Sequence, residues 1–506
     1  MKKILVAIFA VLVTAAWVLP AMAVDTTFYG AYRVRAFSTN NNLDYAGEKQ
    51  KVYTGSGSTT CTGGDVGCLG STSTDENSWI DQRFRLMVET KASDNLRGFM
   101  QLQVGDSAGV NGSHTWGTGG NTVTFRQAYL SFNAGPVRLK AGRSVFGDAP
   151  DGGQSFRVSD DNQYWGLLDG GLVVVAQVDA ILLGTQNAYN PINIAAAYVK
   201  LVEASTGSTT LNAQDRDNTA YIVQALYAPS ADLMGAAYLV YDSDRTTISS
   251  ITGVGENNPY WLGVGLGANN LGPVNLKAHA VYKGGSLKNG CLPGSCGLAL
   301  TDSAKDLSYA AYALDVDVNT KIDAITVGAA AGIGSGDANA TDNNANNFTA
   351  VAGAYGVQLG GRPAIFFDNG EVSNGGAGLN VVNSTGANGL SQASLGNITF
   401  AEIYASFKAS DDLELSGLIA GFWNTETKRK LTTSPDTSTT WDAALGTEVD
   451  LNAVYKLYKE LALVAQAAWF MPGDGLLKSK DGSGNYSGIA SNDTVSEYFA
   501  KVQYDF

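Results

Sequence analysis

Apolar and polar residues alternate along most of this chain in runs of about ten, separated by turn-forming clusters. A period of two places successive side chains on opposite faces, so each run predicts a β-strand with one apolar and one polar face. The clearest unit is WIDQRFRLMVETKASDNLRGFMQLQVGD. It predicts a strand over 79–90, a tight turn through Lys91-Ala92-Ser93-Asp94-Asn95 and a returning strand from Leu96. The stretches 221–241, 401–423 and 451–470 repeat the device. The final stretch, YFAKVQYDF, puts Tyr498, Ala500, Val502, Tyr504 and Phe506 on one face and Glu497, Phe499, Lys501, Gln503 and Asp505 on the other. Such a strand is expected to be held by both edges, because an apolar last residue gains nothing by fraying into water.

Carried along the chain, the alternation predicts eighteen strands, with sixteen as the alternative count. They fall at 27–37, 79–90, 96–105, 122–133, 136–143, 172–183, 191–203, 217–228, 232–242, 258–269, 272–283, 306–318, 321–333, 397–408, 412–424, 440–455, 460–471 and 494–506. The long connections, 38–78, 144–171, 284–305 and 334–396, all belong to one side, and the other side has only short turns. Short turns against long loops, with an even strand count, predict an all-β, antiparallel up-and-down barrel that crosses a membrane. No stretch after residue 23 approaches the ~18–20 continuous apolar residues that a membrane helix needs. A solenoid or propeller calls for a constant period, and connections of about four to about sixty residues are against it.

Composition sharpens this picture. Residues 1–23 combine a dilysine start, an apolar run from Ile4 to Leu19 and an Ala21-Met22-Ala23 cleavage pattern, which predicts a signal peptide and a single barrel domain over 24–506. A formal charge of −14 argues against nucleic-acid binding. Sixty glycines and 23 tyrosines against 11 prolines suit strands and turns. In an exported chain the close pairs Cys61/Cys68 and Cys291/Cys296 read as loop disulfides; the competing metal or haem reading lacks C-x-x-C spacing and nearby histidine. No cofactor is expected.

The signal segment, strands of about ten residues, one-sided long loops and the terminal Phe506 with Tyr504 together resemble Gram-negative outer-membrane porins. The resemblance covers 24–506. It implies an outer-membrane location with lipid around the barrel, a water-filled channel passing small hydrophilic or charged solutes, and Phe506 and Tyr504 as the signal read by assembly machinery. Porins of this kind are often homotrimers. In such porins the third external loop commonly folds inward as a constriction, which makes 144–171 the candidate here, with Asp148, Asp151, Asp160, Asp161 and Asp169 as its acids.

If the apolar faces meet lipid, the other faces line a lumen. That turns Arg33 and Arg35 inward on the first strand, Asp81, Arg83, Arg85 and Glu89 on the second, and Arg97, Gln101 and Gln103 on the third. Arg126 follows on the fourth, and Arg138 and Lys140 on the fifth, so adjacent strands of an acidic protein predict a basic wall. Later strands carry Asp315, Asp317, Glu402, Glu448 and Asp450; Asp323 and Glu414 lie near turns, where solvation explains them. GSGDANATDNNANN offers Asp337 and Asp342 as hard oxygen ligands for calcium, and a polar loop explains the same composition. Two isolated histidines, with no H-E-x-x-H and no Walker loop, predict a protein that is not an enzyme. The alternatives to a diffusion channel are a specific channel for anions or oligosaccharides and a barrel sheath around an electron-transfer or export partner.

Overall fold

A computed structural model describes residues 24–40, 76–105, 114–115, 122–146, 173, 176–185, 191–203, 217–230, 232–246, 254–291, 304–339, 342–351, 363–367, 395–430, 438–480, 486–488 and 494–506. Residues 1–23, where a signal peptide is expected, Cys61, Cys68, Cys296 and the loop acids Asp148, Asp151, Asp160, Asp161 and Asp169 lie outside them; Cys291 is described only as the end of a strand.

The barrel strands are β1 (Asp25–Asn40), β2 (Glu76–Ser93), β3 (Leu96–Gly105), β4 (Thr122–Ala134), β5 (Val137–Phe146) and β6 (Ala176–Thr185). Next come β7 (Ile192–Val202), β8 (Asn218–Ser230), β9 (Leu233–Asp244), β10 (Asn257–Leu271), β11 (Val274–Cys291) and β12 (Ala311–Ile322). The circle is completed by β13 (Ile325–Gly334), β14 (Ile398–Lys408), β15 (Leu413–Asn424), β16 (Ala444–Tyr458), β17 (Leu461–Pro472) and β18 (Val495–Asp505). Each pairs antiparallel with its neighbour in sequence, and β18 pairs with β1, Val502 opposite Val34. The result is a closed 18-stranded barrel, which leaves no open edge to be solvated in hydrocarbon.

The seam is closed at the last residue. The Phe506 N–H donates to the Gly30 carbonyl at 3.0 Å and the Gly30 N–H donates back at 2.8 Å. The Phe506 ring lies over Gly30, where a Cβ would come within 2.7 Å of it, and stacks against Phe84 and Tyr504. Only glycine leaves the ring that seat.

Outward faces are apolar, as at Leu262, Val264, Ile403 and Ile419. Tyr198, Tyr221, Tyr241 and Tyr260 stand in register on β7–β10 as part of an aromatic belt. Beyond that belt, toward the long connections, sit the ion pairs Arg143–Asp179, Lys200–Asp217 and Arg245–Glu256. Charges on a barrel exterior cost little at the interface and much at the midplane, so belt and pairs mark where the apolar band ends.

Several boundaries differ from the alternation reading, among them β11, which runs on to Cys291, and β6, which begins at Ala176. The turn between β12 and β13 sits at Asp323-Ala324, not at residues 319–320, because Asp323 adopts the left-handed conformation (φ 52°) that the tight turn requires. Residues Lys305–Tyr309 form a separate short strand that pairs with β11 and runs parallel to Asn344–Ala345. Ser438–Trp441 leaves the wall altogether for a four-stranded sheet with Lys428–Lys430, Lys478–Lys480 and Tyr486–Gly488, so β16 begins at Ala444.

Candidate functional site

The charged side chains that β1–β5 turn inward are shielded: Arg33, Arg35, Arg83, Arg85, Arg126, Arg138 and Lys140 are all buried within the barrel, and Arg97 is partly so. Arg33 and Arg83 stand directly opposite each other in the β1–β2 register, and Arg35 stands opposite Asp81. Arg35 and Asp81 form a bidentate pair, Nε–Oδ1 2.9 Å and Nη2–Oδ2 2.6 Å, with both side chains fully enclosed. Glutamines separate the other cations. Arg85 Nε donates to Gln103 Oε1 at 2.7 Å, and Arg126 Nη1 and Gln127 Nε2 both donate to Gln101 Oε1 at 3.1 and 3.0 Å.

Arg126 reaches that position through a bulge. Gln101 pairs with Gln127 and Leu102 with Phe125, so Arg126 is the extra residue and both Arg126 and Gln127 point inward. Alternation finds Arg126 and misses Gln127. Nearer the short turns, Arg138 Nε donates to Asn133 Oδ1 at 3.1 Å, Arg97 lies 3.7 Å from Glu89, and the Lys140 ammonium sits 3.8 Å from the centre of the Tyr129 ring.

The opposite part of the wall is acidic and aromatic. Asp317, Glu402, Glu448 and Asp450 are buried on the inner faces of β12, β14 and β16, whereas Asp323 and Glu414 are exposed at turns. Beside them, Phe400, Phe422 and Phe470 project inward from β14, β15 and β17. The rings are seated by glycines on adjacent strands. A Cβ at Gly332 or at Gly446 would fall 2.4 Å from Phe400 or Phe470 respectively.

Into this wall reaches a segment of the long connection between β13 and β14. Residues Ala364–Phe367 are completely buried. The backbone N–H groups of Ile365 and Phe366 donate to the two carboxylate oxygens of Glu448 at 2.7 and 2.8 Å, and that of Ala364 donates to Asp450 Oδ2 at 2.9 Å. The Phe366 ring stacks on Phe422 with centroids 3.9 Å apart, and Phe367 meets Phe400 edge-on at 5.3 Å. The same connection is anchored elsewhere by Thr349, whose carbonyl accepts from Trp261 Nε1 at 2.9 Å and whose hydroxyl accepts from Lys283. The described inward-folded segment therefore belongs to the 335–397 connection, and residues 147–172 lie outside the described set. The local signal was RPAIFFDNG, an apolar run inside a polar loop, which has little reason to exist unless it is covered.

Asp337 and Asp342 are engaged within that connection: Asn339 N–H donates to Asp337 Oδ1 at 3.1 Å and Asn344 N–H to Asp342 Oδ1 at 2.8 Å. Among the described residues no group of three or more His, Cys, Asp or Glu side chains is placed to hold a metal ion. One nucleophile-type spacing does occur, Gly105-Asp106-Ser107-Ala108-Gly109, at the exit of β3 into a long connection; residues 106–109 lie outside the described set.

No protein-family model matches this chain, and no curated protein matches it. Solved structures do. The outer membrane protein OpdK of Pseudomonas aeruginosa is 10% identical with a TM-score of 0.50, covering 95% of this chain and 98% of its own. A BenF-like porin of Pseudomonas fluorescens Pf-5 is 9% identical (TM-score 0.49; 96% and 100% covered), and P. aeruginosa OccK8 (OprE) is 11% identical (0.47; 95% and 98%). At such identities the likeness is one of fold, and the chain has the closed 18-stranded barrel fold of Gram-negative outer-membrane porins.

Proposed function

We infer that the protein is an outer-membrane channel through which small hydrophilic and charged solutes diffuse along the β1–β5 wall. The supporting observation is the concentration of lumen cations on β1–β5, where Asp81 and Glu89 are the accompanying acids; Lys283 on β11 and Lys501 on β18 are buried outside that sector. Arg33, Arg35, Arg83, Arg85, Arg97, Arg126, Arg138 and Lys140 share one sector, and Asp317, Glu402, Glu448 and Asp450 share another. Opposed charge of this kind creates a transverse field that orients dipolar solutes, and a cationic wall raises the local concentration of anions.

The occupation of part of the lumen by Ala364–Phe367 favours a selective channel over a wide unselective one. Asp148, Asp151, Asp160, Asp161 and Asp169 would add an acidic face to the constriction, and disulfides Cys61–Cys68 and Cys291–Cys296 would close two external loops. Solutes are the working partners, lipid surrounds the barrel, and the reading needs neither a cofactor nor a catalytic group; homotrimers are its expected assembly. Single-channel recording of refolded residues 24–506 in a planar bilayer under a salt gradient tests it. Stable steps with an anion-selective reversal potential are expected, and a folded barrel without steps overturns the channel reading.

A further inference from the structure

The seat of residues 364–367 is built like a receptor, and the segment in it behaves like a ligand. Glu448 and Asp450 are two residues apart on one face of β16, about 7 Å along the strand, and both are buried. Their described donors are three successive backbone N–H groups, which present only partial positive charge. Asp450 Oδ1 is buried in the same place and has no hydrogen-bond donor among the described residues. The aromatic walls do not depend on the segment, because Phe400 and Phe470 are fixed by Gly332 and Gly446 on neighbouring barrel strands. Phe366 packs on Phe422, with the Phe470 centroid at 5.7 Å, and Phe367 covers Phe400.

We propose that Glu448, Asp450, Phe400, Phe422 and Phe470 form a binding site for small aromatic ammonium solutes of the aromatic amino-amide or short-peptide kind, and that Ala364–Phe367 occupies it as an internal competitor. A primary ammonium supplies donors and a full positive charge where the segment supplies dipoles, and hydrogen bonds between two ionised groups are about twice as strong as neutral ones. An ammonium held beside aromatic faces gains cation–π attraction in addition. The inference rests on the lumen being the solute path, and it extends that reading from charge to a substrate class.

The test is calorimetric titration of the refolded full-length barrel with phenylalanine amide, using phenylacetate (ring, opposite charge) and glycinamide (donors, no ring) as controls. Phe366→Ala removes the internal ring. Ile365→Pro removes one N–H from Glu448 and serves if the first variant does not fold. Either variant should bind phenylalanine amide at least tenfold more tightly than the unaltered chain. Adding Glu448→Gln and Asp450→Asn should abolish binding, and neither control should bind. Equal affinity in the unaltered chain and in a folded variant overturns the proposal, as does binding that survives loss of both carboxylates or is matched by phenylacetate. Because heat reports the site without ion flow, a protein that binds but shows no conductance steps refutes only the channel reading.

Discussion

The wall of β1–β5 and the wall of β14–β17 solve one problem in two ways. Both are inner faces of the same antiparallel sheet and both carry buried ionisable groups. On the first wall, polar neighbours within the sheet satisfy the charges, as Asp81 does for Arg35 and Gln103 for Arg85. On the second, the carboxylates of Glu448 and Asp450 accept from backbone N–H groups of a segment that belongs to no strand. The first wall draws its partners from the sheet, and the second has surrendered its space to the chain's own loop. A barrel can thus keep one sector for solutes and close another without changing the sheet.

The comparison can be broken at its strongest contact. Asp81→Ala strands a fully enclosed guanidinium, and loss of one partner of a buried pair costs about 3–5 kcal/mol; urea unfolding in lipid vesicles should show that loss, and an unchanged midpoint would mean that lumen water already screens the pair. Next is the inside–outside assignment on which both walls depend. Val264→Arg, on the lipid face of β10, should destabilise by roughly 2–4 kcal/mol in the same assay.

The second wall is tested more finely by Glu448→Gln, which keeps the shape but leaves one acceptor oxygen for the two N–H groups of Ile365 and Phe366 and sets its amide NH2 against the other. A loss of about 1–3 kcal/mol is expected, read as roughly ten- to hundredfold faster amide exchange at Ile365 and Phe366; unchanged exchange would show that the rings alone hold the segment. For the first wall, Arg83→Ala with Arg85→Ala should shift the reversal potential toward cations. Each charge acts on a passing ion at about 7 Å with ~0.6 kcal/mol in water-like surroundings, favouring an anion and opposing a cation by the same amount, so loss of the pair should lower the anion-to-cation permeability ratio roughly sixtyfold. The smallest effect lies outside both walls. In the turn after β2, the hydrogen bond and charge of Lys91 hold the Asp94 carboxyl below its ordinary range. That contribution is present at neutral pH and lost as pH falls through the lowered value. Because Asp94 is fully exposed, Asp94→Asn should leave the unfolding midpoint unchanged.

Much of the first wall was legible in the residues. In WIDQRFRLMVET, Asp81, Arg83, Arg85 and Glu89 alternate with Ile80, Phe84, Leu86 and Val88, so Arg83 and Arg85 declare their face without reference to any other strand. The second wall was not. Phe400, Phe422 and Phe470 make the inner faces of β14, β15 and β17 as apolar as their outer ones, so the alternation fades where the lumen is filled. Gln127 was hidden for a different reason: a bulge breaks the period of two at one residue and shows only in the pairing register.

The sequence by itself favoured eighteen strands over sixteen and put the long connections on one side, because pleating is local and each residue's face follows from its neighbour's. Only the tertiary structure decided that Ala364, Ile365 and Phe366 meet Asp450 and Glu448, 82–86 residues away. Backbone N–H groups look alike in every sequence, and which carboxylate receives them is settled only when the closed barrel brings strand and loop into one enclosed space.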